Sequence, residues 1–357
     1  MIVFCYGTTA EAIKLGPVMS RLTERGVAFE QWVTLQQAAT VLDSLPALGI
    51  PTPDRVLAVG RSGRPLSGPL DVVVWFARIA WWAMRRRRAL RAQLGRGSVI
   101  VVHGDTMTSV VGALLARFLR VDSAHVEAGL RSGNWRHPFP EELDRRIVGR
   151  LATVHYAPTE VAAGHLTGRR NVVMTHGNTV VDAVLDRRRD ATAAPDNPYG
   201  VVLLHRFEFL SNSGLVRKTL QCIVDDSPVR LVMVVDDLAR HSLQDALATL
   251  PTEKVTIVDK LPHAQFAPLI AQAAFIVTDS GGVQEEAAFL GVPTLVHRRA
   301  TERDEGLGAN VVLSGWDLPV LAAFLHEHAA YRREPTSLEH SPSDAVVQDL
   351  VDRGYGS

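Results

Sequence analysis

The chain has 357 residues, 38 Lys+Arg against 38 Asp+Glu, and 46% hydrophobic residues. That length exceeds one ordinary core and predicts two domains of about 150–200 residues each, in a composition that is globular rather than disordered. The balanced charge lacks the basic excess of a bulk nucleic-acid binder, and Cys5 and Cys222 alone can form neither a disulfide scaffold nor a cysteine-rich zinc site.

Residues 1–6 (MIVFCY) read as a first strand without a basic leader or cleavage site, so a cytoplasmic protein is expected. A helix follows over 11–25. The apolar run 72–84 (VVVWFARIAWWAM) is too short to span a bilayer and contains Arg78. With four arginines behind it, Arg85–Arg88, it reads as a packed helix with a solvated basic end; the other reading is a helix lying on a membrane surface. Then come a strand over 98–102 (SVIVV), a helix over 110–119, a strand over 123–126, a helix over 140–151 and a strand over 154–156. The polar, proline-bearing stretch 185–199 reads as a linker. Beyond it lie strands over 201–204, 229–235, 255–258, 275–277 and 294–296, with a helix over 283–290. Short apolar runs separated by helices predict parallel α/β layers. The expected architecture is two Rossmann-like doubly wound domains facing a cleft, over 1–185 and 200–330. Residues 331–357 are expected as a helix or tail able to cross back to the first domain. Ligands in such sheets bind beyond the carboxyl ends of strands.

Four segments put polar residues at those ends. Gly7-Thr-Thr-Ala-Glu-Ala-Ile-Lys14 joins the first strand to its helix; it is an ordinary βα loop or an anion site at a helix N-terminus with Lys14 a turn in. His103-Gly-Asp-Thr106 follows SVIVV, and Asp105 either faces the cleft or, like Thr106, caps the next helix. His125-Val-Glu-Ala-Gly-Leu-Arg131 and Phe139-Pro-Glu-Glu-Leu-Asp-Arg-Arg146 add Glu127 and Glu141, so that three acids arise from successive loops. Crowded carboxylates repel, and at least one is expected to have a raised pKa suited to acid–base work. The plainer reading pairs Glu141 and Glu142 with Arg145 and Arg146. In Thr278-Asp-Ser-Gly-Gly-Val-Gln-Glu-Glu-Ala287, Ser280 can cap a helix, Gly281 and Gly282 admit a phosphate, and Glu286, expected in the first turn, can take a ribose diol. His205-Arg-Phe-Glu208 and Thr301-Glu-Arg303 complete the wall; His205 is a hydrogen-bond donor, a proton carrier or a structural histidine. His103, His125 and His137 share the acidic edge, but their spacing fits no zinc pattern and no metal is expected.

HGDTMTS, HVEAGLRSG, FPEELDRR, APTE, GNTVVDA, DSGGVQEEAAFLGVPTLV and TERDEG occur here in sequence. Their order and spacing resemble the non-hydrolysing bacterial UDP-N-acetylglucosamine 2-epimerases over roughly residues 1–330. The resemblance implies a glycosyltransferase-B architecture and inversion at C2 of the sugar to give UDP-N-acetylmannosamine, by elimination of UDP to a 2-acetamidoglucal and re-addition. It implies catalytic positions at Asp105, Glu127, Glu141 and His205, and UDP or substrate positions at Lys14, Arg131, Arg206, Ser280, Gly281, Gly282, Glu286 and Arg303. It also implies UDP-N-acetylglucosamine and UDP as ligands, a homodimer, no nucleic-acid or membrane partner and no cofactor, since no hydride leaves.

The chain departs from that family at several points. Thr9 stands where the family start, G-T-R-P-E-A-I-K, has an arginine, and Phe207 where H-R-R-E has its second arginine. Lost bidentate phosphate contacts weaken retention of UDP and favour a hydrolysing outcome, free N-acetylmannosamine plus UDP. Leu35-Gln-Gln-Ala-Ala39 replaces the family's G-Q-H-R-type loop and no H-L-N-P segment occurs near 235–240, so activation by a second substrate molecule is not expected. A glycosyltransferase of the same fold and a non-catalytic nucleotide-sugar binder are the other classes in play.

Overall fold

A computed structural model of the chain describes residues 1–36, 40–58, 66, 68–133, 140–188, 197–248, 250–301, 303–336 and 340–356. It divides into two compact units, Met1–Ala183 with Glu339–Ser357, and Val184–Leu338.

The first unit runs β1 (Ile2–Tyr6), α1 (Thr9–Glu24), β2 (Phe29–Val33), α2 (Thr40–Ser44), β3 (Arg55–Val56), α3 (Pro69–Leu94), β4 (Val99–His103), α4 (Met107–Leu119), β5 (Asp122–Val126), α5 (Glu141–Leu151), β6 (Val154–Ala157), α6 (Glu160–Gly164) and β7 (Val172–Met174). α7 (Val180–Arg188) holds the boundary residues. The seven strands form one parallel sheet in the order β3-β2-β1-β4-β5-β6-β7. β1 and β4 are buried along their whole length, the mark of central parallel strands with helices on both faces. The unpredicted strands are β2, whose FEQWV mixes polar and apolar residues, the two-residue β3, and the three-residue β7. β3 and β7 are short edge strands and β2 lies between β3 and β1; all three draw their strand character from pairing partners rather than from their own sequence.

The second unit runs β8 (Tyr199–Leu203), α8 (Phe207–Leu210), α9 (Ser213–Asp226), β9 (Arg230–Val235), α10 (Asp237–Leu247), β10 (Val255–Asp259), α11 (His263–Ala271), β11 (Phe275–Thr278), α12 (Gly281–Leu290), β12 (Thr294–Val296), β13 (Val311–Leu313) and α13 (Leu318–Glu327). Its parallel sheet has the order β10-β9-β8-β11-β12-β13, the doubly wound Rossmann order. In both sheets the chain reverses direction across one strand pair, β1/β4 in the first and β8/β11 in the second. The crevice beyond those strand ends is where this topology accepts ligands.

One difference from the sequence reading has a local cause. The stretch expected as a linker from residue 185 begins inside α7, where Val180, Val181 and Val184 share a buried helical face; residues 189–196 of that stretch lie outside the described residues. The apolar run at 72–84 belongs to α3, whose buried face is Trp75, Ile79, Ala83, Leu90 and Leu94, while Arg85–Arg88 are exposed and Arg85 lies 4.7 Å over the exposed Trp81 ring. Among the described residues no helix is long and apolar enough to cross a membrane.

The chain end returns to the first unit. α14 (Pro342–Asp352) packs on the first unit: Val346, Val347 and Leu350 are fully buried in its core beside Ile2, Phe4 and Leu22. Tyr156 Oη donates to Asp349 Oδ2 at 2.9 Å, and the Ser343 amide to Asp182 Oδ2 at 2.8 Å. Removing a fully buried leucine leaves a cavity costing about 2–5 kcal/mol. Leu350→Ala is therefore expected to destabilise the first unit by that amount, read as a lower denaturant midpoint; an unchanged midpoint contradicts this packing.

Candidate active site

At the first switch point two loops are fastened together by one acid. Thr8 caps α1 and accepts from the Glu11 amide, while Glu11 Oε2 accepts from the Gly7 and Thr8 amides at 2.9 Å each. This reciprocal capping box fixes the turn after β1. Glu11 Oε1 accepts from Thr106 Oγ1 at 2.7 Å, tying the β1 loop to the β4 loop. Gly7 is required by closeness: a Cβ there would stand 2.2 Å from Thr34 Oγ1 and 2.3 Å from Thr108 Oγ1. Thr106 is the cap of α4, so that role falls to it and not to Asp105.

Glu127 follows β5 and is 6% exposed, with a left-handed backbone at φ 66°. For a non-glycine residue that conformation costs about 1–3 kcal/mol and persists only where the surroundings impose it. Its Oε2 accepts from Lys14 Nζ at 2.8 Å and lies 3.1 Å from His103 Nε2. Lys14 thus meets the acid cluster. Asp105 pairs with buried Arg145, which also lies 3.5 Å from Glu142. Glu142 is fully buried and accepts from Arg146 Nε at 2.9 Å and from the Ser132 amide at 3.1 Å. The helical pairing expected of Glu141 and Glu142 therefore belongs to Glu142. Glu141 instead keeps a buried Oε2 without a hydrogen-bond partner among the described residues.

The carboxyl that crowding lifts toward neutrality is Asp144, one turn into α5. Burial first, and then the charges of Asp105 and Glu141, push it up to about 7. Its Oδ2 is buried without a partner among the described residues. Glu11 is also pushed up to about 7, by burial outweighing the hydrogen bonds from Thr106, Gly7 and Thr8. His125 is structural: burial holds it down at about 4, and its Nε2–H donates to Gly104 O at 2.7 Å. His137 lies outside the described residues. Arg131, half-buried, donates to Leu130 O at 2.6 Å, and burial lowers its pKa.

At the second switch point the organising group is Asp279, which is fully buried. Its carboxylate accepts from the His205 amide at 3.0 and 3.1 Å and from the Arg206 amide at 2.8 Å. Arg206 Nε donates to Asp279 O at 3.0 Å. The β8 loop is thus pinned to the end of β11, with the His205 ring partly open to solvent. Ser280 caps α12, and Gly281 and Gly282 form its first turn. A Cβ on Gly282 would find its nearest neighbour, Ser280 Oγ, 4.0 Å away, so an anion can approach these amides closely. Glu286 sits in the second turn rather than the first, because the helix starts at Gly281. α12 then holds two further segments. Glu285 Oε1 takes Arg303 Nη1 at 2.5 Å, and Gln284 Nε2 donates to Arg303 O at 3.1 Å. Glu286 Oε1 takes His263 Nε2 at 3.0 Å. Among the described residues no group of acids, histidines and cysteines is arranged to hold a metal ion.

The family model for UDP-N-acetylglucosamine 2-epimerase matches residues 91–324. The chain belongs to the UDP-N-acetylglucosamine 2-epimerase family. It is 33% identical to the Bacillus subtilis UDP-N-acetylglucosamine 2-epimerase over 88% of this chain and 83% of that one. With the Escherichia coli K12 enzyme of the same name it shares 31% identity, covering 87% and 85%. Among solved structures, the Methanocaldococcus jannaschii UDP-GlcNAc 2-epimerase in complex with UDP-GlcNAc and UDP superposes with a TM-score of 0.81 at 25% identity, covering 98% of this chain and 99% of that one. The Neisseria meningitidis enzyme bound to UDP-GlcNAc gives 0.80 at 25% identity, with the same coverage. A glycotransferase of kitacinnamycin, 14% identical with a TM-score of 0.59, shares the fold alone.

Within this epimerase-family chain, Asp105, Glu127, Glu141, Lys14 and Arg131 lie in the first unit, and His205, Arg206, Ser280, Gly281, Gly282, Glu286 and Arg303 in the second. Direct contact joins Glu127 to Lys14; Asp105 and Glu141 both act electrostatically on Asp144. Sequence reasoning passed over Glu11, Asp144, Asp279 and His263. The first three stand inside segments already singled out, and His263 opens a helix just after β10, the position that draws attention in this fold.

A carboxyl held near 7 but ordinarily near 4 is protonated more readily folded than unfolded. Asp144 therefore supports folding most below about 4 and loses that support as pH rises to about 7, and Glu11 acts with the same sign. Asp144→Asn is expected to flatten the fall in stability between those limits, followed by denaturant unfolding at a series of pH values. An undiminished slope contradicts the assignment to Asp144.

Proposed function

We propose that the chain epimerises C2 of UDP-N-acetylglucosamine to give UDP-N-acetylmannosamine, retaining UDP until it is returned. The observation that carries this reading is the set of acids after β4, β5 and at α5: Asp105, Glu127 and Glu141 in one unit, with Glu127 strained and Glu141 Oε2 buried and without a partner among the described residues. Direct removal of a sugar C2 proton is too costly for a side chain. If the C1–O bond breaks first, UDP leaves with the electron pair, C1 gains oxocarbenium character and the C2 proton becomes labile. A carboxylate takes that proton, a double bond forms between C1 and C2, and a second acid returns a proton to the opposite face as UDP re-adds. Asp105, Glu127, Glu141 and His205 are proposed for this work. Lys14 Nζ, 2.8 Å from Glu127 Oε2, orients that side chain. No metal or hydride carrier is needed in this scheme.

UDP is assigned to the second unit. The α12 N-terminus with Ser280, Gly281 and Gly282 suits the diphosphate, aided by Arg206, and Glu286 suits the ribose. Arg131 and Arg303 are proposed as further substrate contacts. A hydrolysing outcome is the second reading, favoured by Thr9 and by Phe207, whose ring is 74% exposed where the family pattern places an arginine. The protein is further proposed to be a cytoplasmic homodimer; exposed Trp81, Met84, Leu70 and Val73 on α3, beside an apolar cavity of about 270 Å³, offer a face for a second copy.

Incubation with UDP-N-acetylglucosamine in deuterated water, followed by NMR, separates these outcomes. Deuterium at C2 with UDP retained is expected; free deuterated N-acetylmannosamine identifies the hydrolysing form, and no exchange at C2 contradicts both. Glu127→Gln is expected to slow exchange at least about 100-fold, the scale of a lost general acid or base, with UDP affinity little changed.

A further inference from the structure

We propose that His263 is a positioning residue for the nucleotide ribose, holding Glu286 by one oxygen so that the other is presented to the ribose hydroxyls. This deepens, and rests on, the assignment of UDP to the second unit. His263 is the first residue of α11, behind Pro262, and its side chain and that of Glu286 are each 7% exposed. His263 Nε2 stands 3.0 Å from Glu286 Oε1. A carboxylate oxygen only accepts, so the ring nitrogen facing it carries the proton. Glu286 Oε2 is buried and has no hydrogen-bond partner among the described residues.

A buried carboxylate oxygen left unmatched is unfavourable and favours a hydrogen-bond donor there. Its complement must donate hydrogen bonds and carry no negative charge. A phosphate or a carboxylate is repelled there, a carbonyl offers no proton, and a vicinal diol offers two. The position agrees with this choice. Glu286 lies five residues beyond Gly281, about 8 Å along the helix, so a nucleoside diphosphate seated on the α12 N-terminus can set its ribose at Glu286. Without His263 the Glu286 side chain loses the contact that fixes its rotation, and its free oxygen no longer has one direction. His263 touches no ligand in this scheme; it acts through Glu286.

Calorimetric titration of the full chain with UDP and with 2′-deoxy-UDP tests this. The wild-type chain is expected to prefer UDP about tenfold, and Glu286→Ala to abolish the preference. His263→Phe is expected to weaken UDP about tenfold and cut the preference at least threefold, while His263→Gln, whose amide can still donate to Oε1, keeps both. The ratio of the two affinities does not depend on how much of a variant is folded, so a merely structural loss leaves it unmoved. If Glu286→Ala removes the preference but His263→Phe keeps it, the positioning role is overturned and the ribose site stands. If the wild type shows no preference, or Glu286→Ala leaves UDP affinity and preference unchanged, the ribose reading itself fails.

Discussion

Like charges held close together are the constraint around which the first unit is arranged. Asp105, Glu127, Glu141 and Asp144 come from the loops after β4 and β5 and from α5, at the carboxyl edge of one parallel sheet. Buried partners are set against two of them: Lys14 and the His103 ring meet Glu127, and Arg145 meets Asp105. Burial, and then the charges of Asp105 and Glu141, push Asp144 up to about 7, and Glu141 keeps an oxygen unmatched among the described residues. A protein selected for stability alone would dilute such a cluster. The acids on this edge, with Glu127 in a left-handed backbone, are of the kind the proposed acid–base chemistry needs.

The second unit solves a different problem on the same topology. There the carboxylate at the switch point, Asp279, is spent on backbone amides, so that it shapes the β8 loop. α12 then acts as a hub. Its first turn is left open to an anion, Gln284 and Glu285 hold the segment around Arg303, and Glu286 meets His263. Two sheets with the same internal order thus present an acidic edge in one unit, where acid–base work is proposed, and an open helix N-terminus in the other, where the nucleotide is proposed to sit. The family membership gives that division of labour a substrate class in which it makes sense.

Much of this was legible in the sequence, for physical reasons. Central strands such as VIVVH and FIVT announce themselves as continuous apolar runs, because parallel strands are buried on both faces. The polar residues after them stand at the carboxyl ends of those strands, where this topology takes its ligands, although several of them, such as Thr106 and Ser280, also cap helices. What escaped depended on distant partners. β2 and β7 are strands because β1 and β6 pair with them. The raised carboxyl is Asp144 because α5 buries it and sets it beside the charges of Asp105 and Glu141, which no spacing rule reveals. Glu286 was placed a turn too early, since the helix start is set by the Ser280 cap at 280 and not by the first apolar residue, Val283. His263 gained meaning only from its distance to Glu286.

The central claim is that the crowded acids are retained for the reaction against the interest of the fold. Glu141→Gln tests it most directly, with apo thermal stability and C2 turnover measured on the same preparation. The account predicts a melting temperature that rises, because one of the charges facing Asp144 is gone, together with turnover reduced by about two orders of magnitude or more. A variant that melts lower than wild type, or that keeps its turnover, contradicts it.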